Sequence, residues 1–314
     1  NHDVPVWSVV NHAVFAGVGS HSMIYDRPYR NIVIQGNTFR NVKKRAVWCL
    51  NYVDSAVEDN IIENAGGGVL VSCMYFPNTH LMPGTAAGMA GNHQNAGISV
   101  KNNQISISSV SQINGNTWRG YGIEVQGAWV SDSSKAQAKG IPTGIYKETG
   151  VEVKGNMITG NGNGIRLYLA DGCTVENNQL KLQKTASFSN MGIYLSASSK
   201  NVIKDNQVSG CKNSGIGGDG ILMENGSDGC EVSRNRISSG KKNGIVLWGS
   251  EECQITANQV KGCMLDGIYV ENIGNAVIKS NRITNVNGRG IQVIASQTGK
   301  LLQFMRKTAL ESFP

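Results

Sequence analysis

Between Gly220 and Ile283 the chain reads GILMENGSDGCEVSRNRI (Gly220 to Ile237), GIVLWGSEECQITANQV (Gly244 to Val260) and GIYVENIGNAVIKSNRI (Gly267 to Ile283), joined by short connections. Each segment opens on a Gly and alternates apolar with polar residues. Each then runs through a second alternation to an Asn, with an apolar residue two positions beyond it. Alternation of period two marks a strand that buries one face. An Asn closing such a run suits a tight turn, where it tolerates left-handed backbone and bonds to main chain.

The frame extends through most of the chain. Its asparagines are Asn37, Asn60, Asn103, Asn156, Asn178, Asn206, Asn235, Asn258 and Asn281, spaced 22 to 23 residues apart wherever nothing is inserted. Three positions before each stands a β-branched residue, from Ile34 and Val57 to Ile255 and Ile278. Two positions after each stands an apolar one, from Phe39 and Ile62 to Val260 and Ile283. The Gly-Ile strand recurs as Gly122-Ile-Glu-Val-Gln126, Gly164-Ile-Arg-Leu-Tyr168 and Gly192-Ile-Tyr-Leu-Ser196, with Ala46-Val-Trp-Cys-Leu50 and Gly68-Val-Leu-Val-Ser72 in the same register.

A coil this short cannot bury its apolar face alone and needs neighbours stacked at ~4.8 Å. The expected fold is therefore all-β: a right-handed single-stranded parallel β-helix of about nine coils over residues 32–296, with the asparagines forming an interior ladder. Such a rod would be on the order of 43 Å long. A leucine-rich repeat of similar period would show its own leucine frame and a helical half, and neither is present.

The cysteines keep the same frame. Cys173, Cys230 and Cys253 each lie five residues before an Asn, while Cys211 and Cys263 lie five after one. These are inward positions, so stacked core thiols are expected rather than disulfides. Cys230 and Cys253 lie in adjacent coils, so a bridge between them is geometrically conceivable. No CxxC spacing points to zinc, and neither a metal nor another cofactor is expected.

Both ends of such a rod need covers, because an open end exposes core and unpaired strand edges. Residues 1–31 are expected to be a cap or a degenerate coil, with Met23-Ile-Tyr-Asp-Arg27 in the Gly-Ile register, and the native chain is expected to extend upstream of Asn1. Residues 297–314 carry Leu301, Leu302, Phe304, Met305, Leu310 and Phe313 among basic residues. They are expected to form an amphipathic capping helix.

The net charge is +7, and Gly is abundant at 39 residues while Pro is scarce at 6, as many tight turns between short strands require. The basic charges are spread along the chain without a cluster or motif, which argues against nucleic acid. No apolar run is long enough to cross a membrane. A monomer is expected.

Insertions into the basal coil fall on either side of the Gly-Ile strand and never at the Asn turn. The largest occupy roughly Cys73 to Ala96 and Gly127 to Gly150, with shorter ones between Asn103 and Gly122, before Gly192 and before Gly220. Loops carry function more often than scaffold, so walls on both sides of one strand predict a groove over coils two to six.

The repeated GIxL…N…VxxNxI pattern resembles the parallel β-helix repeat of the pectate-lyase-like superfamily over about 85% of the chain. The resemblance implies that the Asn ladder lies between the second and third sheets and that the Gly-Ile strands form the first sheet, whose outer face carries polysaccharide. It further implies a secreted or bacterial cell-surface protein. The superfamily holds hydrolases, lyases, esterases, epimerases and non-catalytic surface proteins, and the family-level catalytic signatures of pectin hydrolases, pectate lyases and mannuronan epimerases are absent here.

The outward residues of the Gly-Ile strands supply what a sugar-binding face needs: aromatic rings for the C–H patches of a pyranose and fixed polar groups for its hydroxyls. Expected binding residues are Trp48, Gln126, Arg166, Tyr168, Tyr194, Trp248 and Tyr269, with His80 and His93 reaching in from the long loop. Hydrolysis of a glycosidic bond needs two carboxyls, and the candidates are Glu224, Asp219, Glu271 and Glu124. Glu224 and Glu271 share a column two coils apart. The expected function is cleavage of glycosidic bonds by paired carboxylates. A lyase or epimerase acting on an anionic polysaccharide through Arg166 and a Tyr or His base is the alternative, and a non-catalytic glycan-binding rod is the third reading.

Overall fold

The computed structural model describes residues 14–15, 29–42, 45–50, 52–72, 96–107, 111–113, 116–118, 120–130, 144–183, 190–211, 218–238, 240–294 and 309–310. Their strands build three sheets of ten, each parallel and each stacked in sequence order. One turn of the chain contributes one strand to each. Ile245–Trp248 lies in the first sheet, Cys253–Thr256 in the second and Gln259–Lys261 in the third, and Ile268–Glu271 then returns beside Ile245–Trp248. The β-helix expected from the repeat is the fold observed.

The apolar columns fill the tube. Ile245, Leu247, Cys253, Ile255 and Val260 of one coil are all buried, as are Ile268, Val270, Ile278 and Ile283 of the next. The described cysteines are all buried free thiols, as their frame predicted.

The Gly that opens most first-sheet strands is required by close approach. A Cβ on Gly244 would collide with Val260 across the tube and with the carbonyl oxygen of Gly267 in the next coil, and Gly164 is confined in the same way by Leu180 and Gly192.

The asparagine ladder runs through the turn between the second and third sheets. Asn206 accepts the Asn178 backbone N–H at 3.0 Å and its side-chain amide at 2.9 Å. It donates to the Val175 carbonyl and to Asn235 Oδ1, both at 2.9 Å. The pattern repeats from Asn60 to Asn258, so every buried amide is satisfied by its neighbours above and below. The left-handed backbone is not at the Asn, as expected from the sequence, but one residue earlier. There Asp205, Arg234, Ala257 and Ser280 hold φ of 54–57°. That displacement turns the Asn side chain inward and along the tube axis, where the ladder needs it.

On the outer face of the second sheet, Glu176 lies between Lys154 at 2.5 Å and Lys204 at 2.9 Å. The hydrogen bond from Lys154, followed by that from Lys204, pulls its carboxyl down to about 2.

Two antiparallel hairpins were not anticipated. Ser111–Ile113 pairs with Asn116–Trp118, and Ala128–Val130 pairs with Gly144–Tyr146. Both lie within insertions beside the first sheet. The capping helix expected over 297–314 falls outside the described residues except for Ala309–Leu310, and these two are not helical. They form a strand beside Arg282–Thr284 in the third sheet, where the sheet edge offers unpaired backbone groups. Met23 to Arg27 likewise fall outside the described residues, and the first-sheet neighbour of Trp48 is Phe15 rather than Tyr25.

Candidate functional site

The outer face of the first sheet carries two separate clusters. In the first, Glu124 is buried between two arginines: Oε2 accepts from Arg45 at 2.7 Å and Oε1 from Arg166 at 2.8 Å. Arg45 belongs to a strand two coils back and reaches Glu124 past Gly67 and Gly68, which present no side chain in its path. The Arg166 guanidinium lies 4.5 Å from the Tyr168 ring centre and 5.6 Å from that of Tyr121. Cation–π contact and the ion pair together fix its position. Arg45, Glu124 and Arg166 thus form a three-residue bridge. Gln126 pairs in register with Tyr168 at its margin. Trp48 lies farther back and donates from Nε1 to Ser72 Oγ at 2.6 Å.

The second cluster surrounds a cavity of about 620 Å³ over the strands Ile221–Glu224, Ile245–Trp248, Ile268–Glu271 and Ile291–Ile294. It brings together five predicted residues, Asp219, Glu224, Trp248, Tyr269 and Glu271. Trp248 is 48% exposed and stands in register between Glu224 on one side and Glu271 on the other. Tyr194 donates to Glu224 Oε1 at 2.6 Å, and Tyr269 donates to Glu271 Oε2. Burial, followed by the bond to Glu224, pushes the Tyr194 phenol up to about 12. The bond to Glu271, followed by burial, does the same for Tyr269. Each tyrosine therefore stays a proton donor through the neutral range.

The cavity overlaps the span of the expected groove at its sixth coil, which carries Asp219 and Glu224. Of the expected binding residues, Trp48, Gln126, Arg166, Tyr168 and Tyr194 do not line it, and the strand of Glu124 stands three coils before Ile221–Glu224. His80, His93 and the long loops at 73–95 and 131–143 fall outside the described residues.

The residues missed by the sequence reading share one column with Asp219, immediately before the Gly of each first-sheet strand. There Asp219 Oδ1 accepts the Asn243 backbone N–H at 3.0 Å, Asn243 Oδ1 accepts that of Asp266 at 3.0 Å, and Asp266 Oδ1 accepts that of Arg289 at 2.5 Å. Asn163 accepts from Met191 in the same way. This is a second polar ladder, and it forms one wall of the cavity with Lys242. Arg45 and Tyr121 of the first cluster occupy the same column. Its members Asp219, Asn243, Asp266 and Arg289 differ in type, so the sequence carries no plain signal for it.

The ladder also gives Asp219 a structural task. Burial pushes its carboxyl above the ordinary value. A carboxyl whose pKa is higher in the fold than in the unfolded chain contributes stability that is fully present below the unfolded value. That contribution is lost as pH rises through the folded value. Asp219→Asn keeps an oxygen for Asn243 and cannot ionise. It is expected to raise Tm at pH 7 by roughly 2–4 °C, equivalent to about 1 kcal/mol, with the gap to wild type closing toward pH 4. Calorimetry at the two pH values checks this, and a lower Tm at pH 7 would mean that the fold favours the ionised form.

Family models match two parts of the chain: a right-handed β-helix region over residues 219–302, and the periplasmic copper-binding protein NosD over residues 89–218. Among the described residues no group of three or more His, Cys, Asp or Glu could hold a metal ion. Cys173 and Cys211, the described thiols of the NosD span, face the apolar core, so the described residues do not fit a copper site. No curated protein matches the sequence.

Among solved structures, PfbA, a surface adhesin of Streptococcus pneumoniae, is similar at 12% identity and a TM-score of 0.55, over 85% of this chain and 63% of the adhesin. The periplasmic alginate epimerase AlgG matches at 14% identity and a TM-score of 0.47, over 87% of this chain and 66% of its own. The catalytic unit of a GH87 alpha-1,3-glucanase from Streptomyces thermodiastaticus matches at 16% and 0.47, over 88% of this chain and 48% of its own. The chain thus spans less than two thirds of each. At these identities the shared feature is the fold. Repeat, sheets, ladder and family match agree that this chain is a right-handed parallel β-helix repeat protein.

Proposed function

We propose that this chain is a carbohydrate-processing protein of the extracytoplasmic space, secreted or at a bacterial surface, that binds a glycan in the cavity over the last strands of the first sheet and hydrolyses a glycosidic bond there. The observation that carries the reading is Trp248, half-exposed and held in register between Glu224 and Glu271. An exposed indole offers a flat apolar face to a pyranose, and the flanking carboxylates reach groups at its edges. Location outside the cytoplasm is supported by the match to a family described as periplasmic.

Glu224 and Glu271 stand two coils apart, so their Cα atoms are ~9.6 Å apart. Tilting of either side chain brings the carboxyls within the ~6.5–9.5 Å that accommodates a water beside the sugar and inverts the anomeric centre, and keeps them well beyond the ~5 Å of a retaining pair. One carboxyl protonates the leaving oxygen while the other takes a proton from the attacking water. Asp219, bonded into the second ladder, positions the strand that carries Glu224. The same face also suits binding without turnover, because both carboxylates already accept a tyrosine hydroxyl.

A product-resolved screen over neutral and acidic glycans tests the reading. Glu224→Gln and Glu271→Gln are each expected to lower the turnover rate at least ~100-fold with affinity little changed, while Trp248→Ala weakens binding. Proton NMR should show the product released with inverted configuration. Full turnover in both Gln variants would refute the carboxylate pair, binding without any product would establish the non-catalytic module, and unsaturated product would establish a lyase.

A further inference from the structure

The six described cysteines occupy three sets of positions, and these differ in one respect. Cys49 stands alone on the first sheet, with Val71 as its neighbour. Cys211 and Cys263 share a column two coils apart, with Gly240 between them: Lys241 N–H bonds to the Cys211 carbonyl and Met264 N–H to that of Gly240. Cys173, Asn201, Cys230 and Cys253 share another column. Cys173 donates its N–H to Asn201 Oδ1 at 2.7 Å, and Gln254 N–H bonds to the Cys230 carbonyl at 2.8 Å. Two coils put Cα atoms ~9.6 Å apart, too far for a disulfide, whereas one coil puts them ~4.8 Å apart, inside the bridging range. Cys230 and Cys253 are the sole one-coil pair among the described residues.

We infer that Cys230 and Cys253 are a disulfide site, closed when the chain folds in an oxidising medium, which joins the coil bearing Glu224 to the coil bearing Trp248.

Both side chains point inward and stand in matching settings. Cys230 Sγ bonds to the Ser198 carbonyl at 3.3 Å, and Cys253 Sγ bonds to that of Ser227 at 3.2 Å. The two thiols lie within hydrogen-bonding reach of each other, which pulls Cys230 down and pushes Cys253 up. One of the two cysteines supplies a thiolate that attacks a small-molecule disulfide, forming a mixed disulfide and expelling one thiol. The other, deprotonated by solvent, attacks the first cysteine's sulfur and expels the second thiol. Two protein thiols are oxidised and one disulfide oxidant is reduced to two thiols. Because both sulfurs are buried in the finished coil, the bond forms while the coils assemble.

The geometry does not depend on the proposed glycan chemistry, and neither does its test. The reduced, unfolded chain is refolded in a mixture of reduced and oxidised glutathione, its free thiols are alkylated after denaturation, and its peptides are mapped. The expected result is one crosslink, Cys230 to Cys253, with the other five of the seven cysteines alkylated. The expected Tm is roughly 5 °C above that of the reduced protein, a difference that disappears with reductant and is absent in Cys253→Ala. Alanine suits this site because Ala276 fills the same position one coil on. Alkylation of both Cys230 and Cys253 after oxidative refolding would overturn the inference, as would a crosslink to any other cysteine. The peptide map decides on the wild-type chain even if the variant folds poorly.

Discussion

Asn206→Ala is expected to destabilise the fold by about 4 kcal/mol or more, read as a fall in the midpoint of urea unfolding. The side chain makes four hydrogen bonds, two accepted from Asn178 and one donated to each of Val175 and Asn235. It is fully buried, so water cannot replace them. Each polar group left without a partner costs about 1–3 kcal/mol, and truncation leaves such groups in both neighbouring coils. Asn206→Asp should not rescue the loss. The shape is kept, but an oxygen then faces the Val175 carbonyl and Asn235 Oδ1, acceptor against acceptor, and a charge is buried. Asn37, exposed at the start of the ladder, provides the control, and its replacement by Ala is expected to cost under about 1 kcal/mol. A loss at Asn206 no larger than at Asn37 would show that the ladder is not what holds the turn.

Glu124→Ala is expected to cost about 3–5 kcal/mol, and the reason is the residues it leaves behind. Arg45 and Arg166 are drawn to one largely buried carboxylate. Without it, two guanidiniums face each other with no compensating charge. Glu124→Gln, which keeps an acceptor and loses the charge, should fall between wild type and Glu124→Ala. Combining Glu124→Leu with Arg45→Met and Arg166→Met should recover much of the loss, because well-packed apolar replacements of a buried ionic triad are often as stable as the original. Urea unfolding of the series checks both statements. A loss below about 1 kcal/mol in Glu124→Ala would mean that the bridge behaves as a surface pair.

The fold was legible because its signal repeats. Each coil presents the same inward residues, so the columns from Ile34 to Ile278 and from Phe39 to Ile283 reinforce one another, and the cysteines could be placed inside from their offsets alone. The first-sheet face was also legible: Glu224, Trp248 and Glu271 stand in register where the alternation put them.

Less legible was the wall of the described cavity. The long loops drew attention to coils two to six and lie largely outside the described residues, while the described cavity runs from the sixth coil, at Asp219 and Glu224, onward. It is shaped by the residue before each Gly, a column whose members Asp219, Asn243, Asp266 and Arg289 differ in type and so show no obvious repeat until their backbone bonds are seen. The left-handed turn residue escaped for a similar reason, since Asp205, Arg234, Ala257 and Ser280 have no chemistry in common. Position in the coil, rather than residue type, sets their conformation.

The glycine that begins most first-sheet strands has a wider consequence. Gly164 faces Leu180 and Gly244 faces Val260 across their own coils, and each also abuts the carbonyl oxygen of the next coil's glycine, so the calibre of the tube is set by an arrangement that recurs from coil to coil. Gaining or losing one whole repeat therefore leaves every other cross-section as it was, whereas gaining part of one does not. The molecule can change length only in whole-number steps, which makes its length, and the spacing of whatever it displays, a quantity that evolution can count.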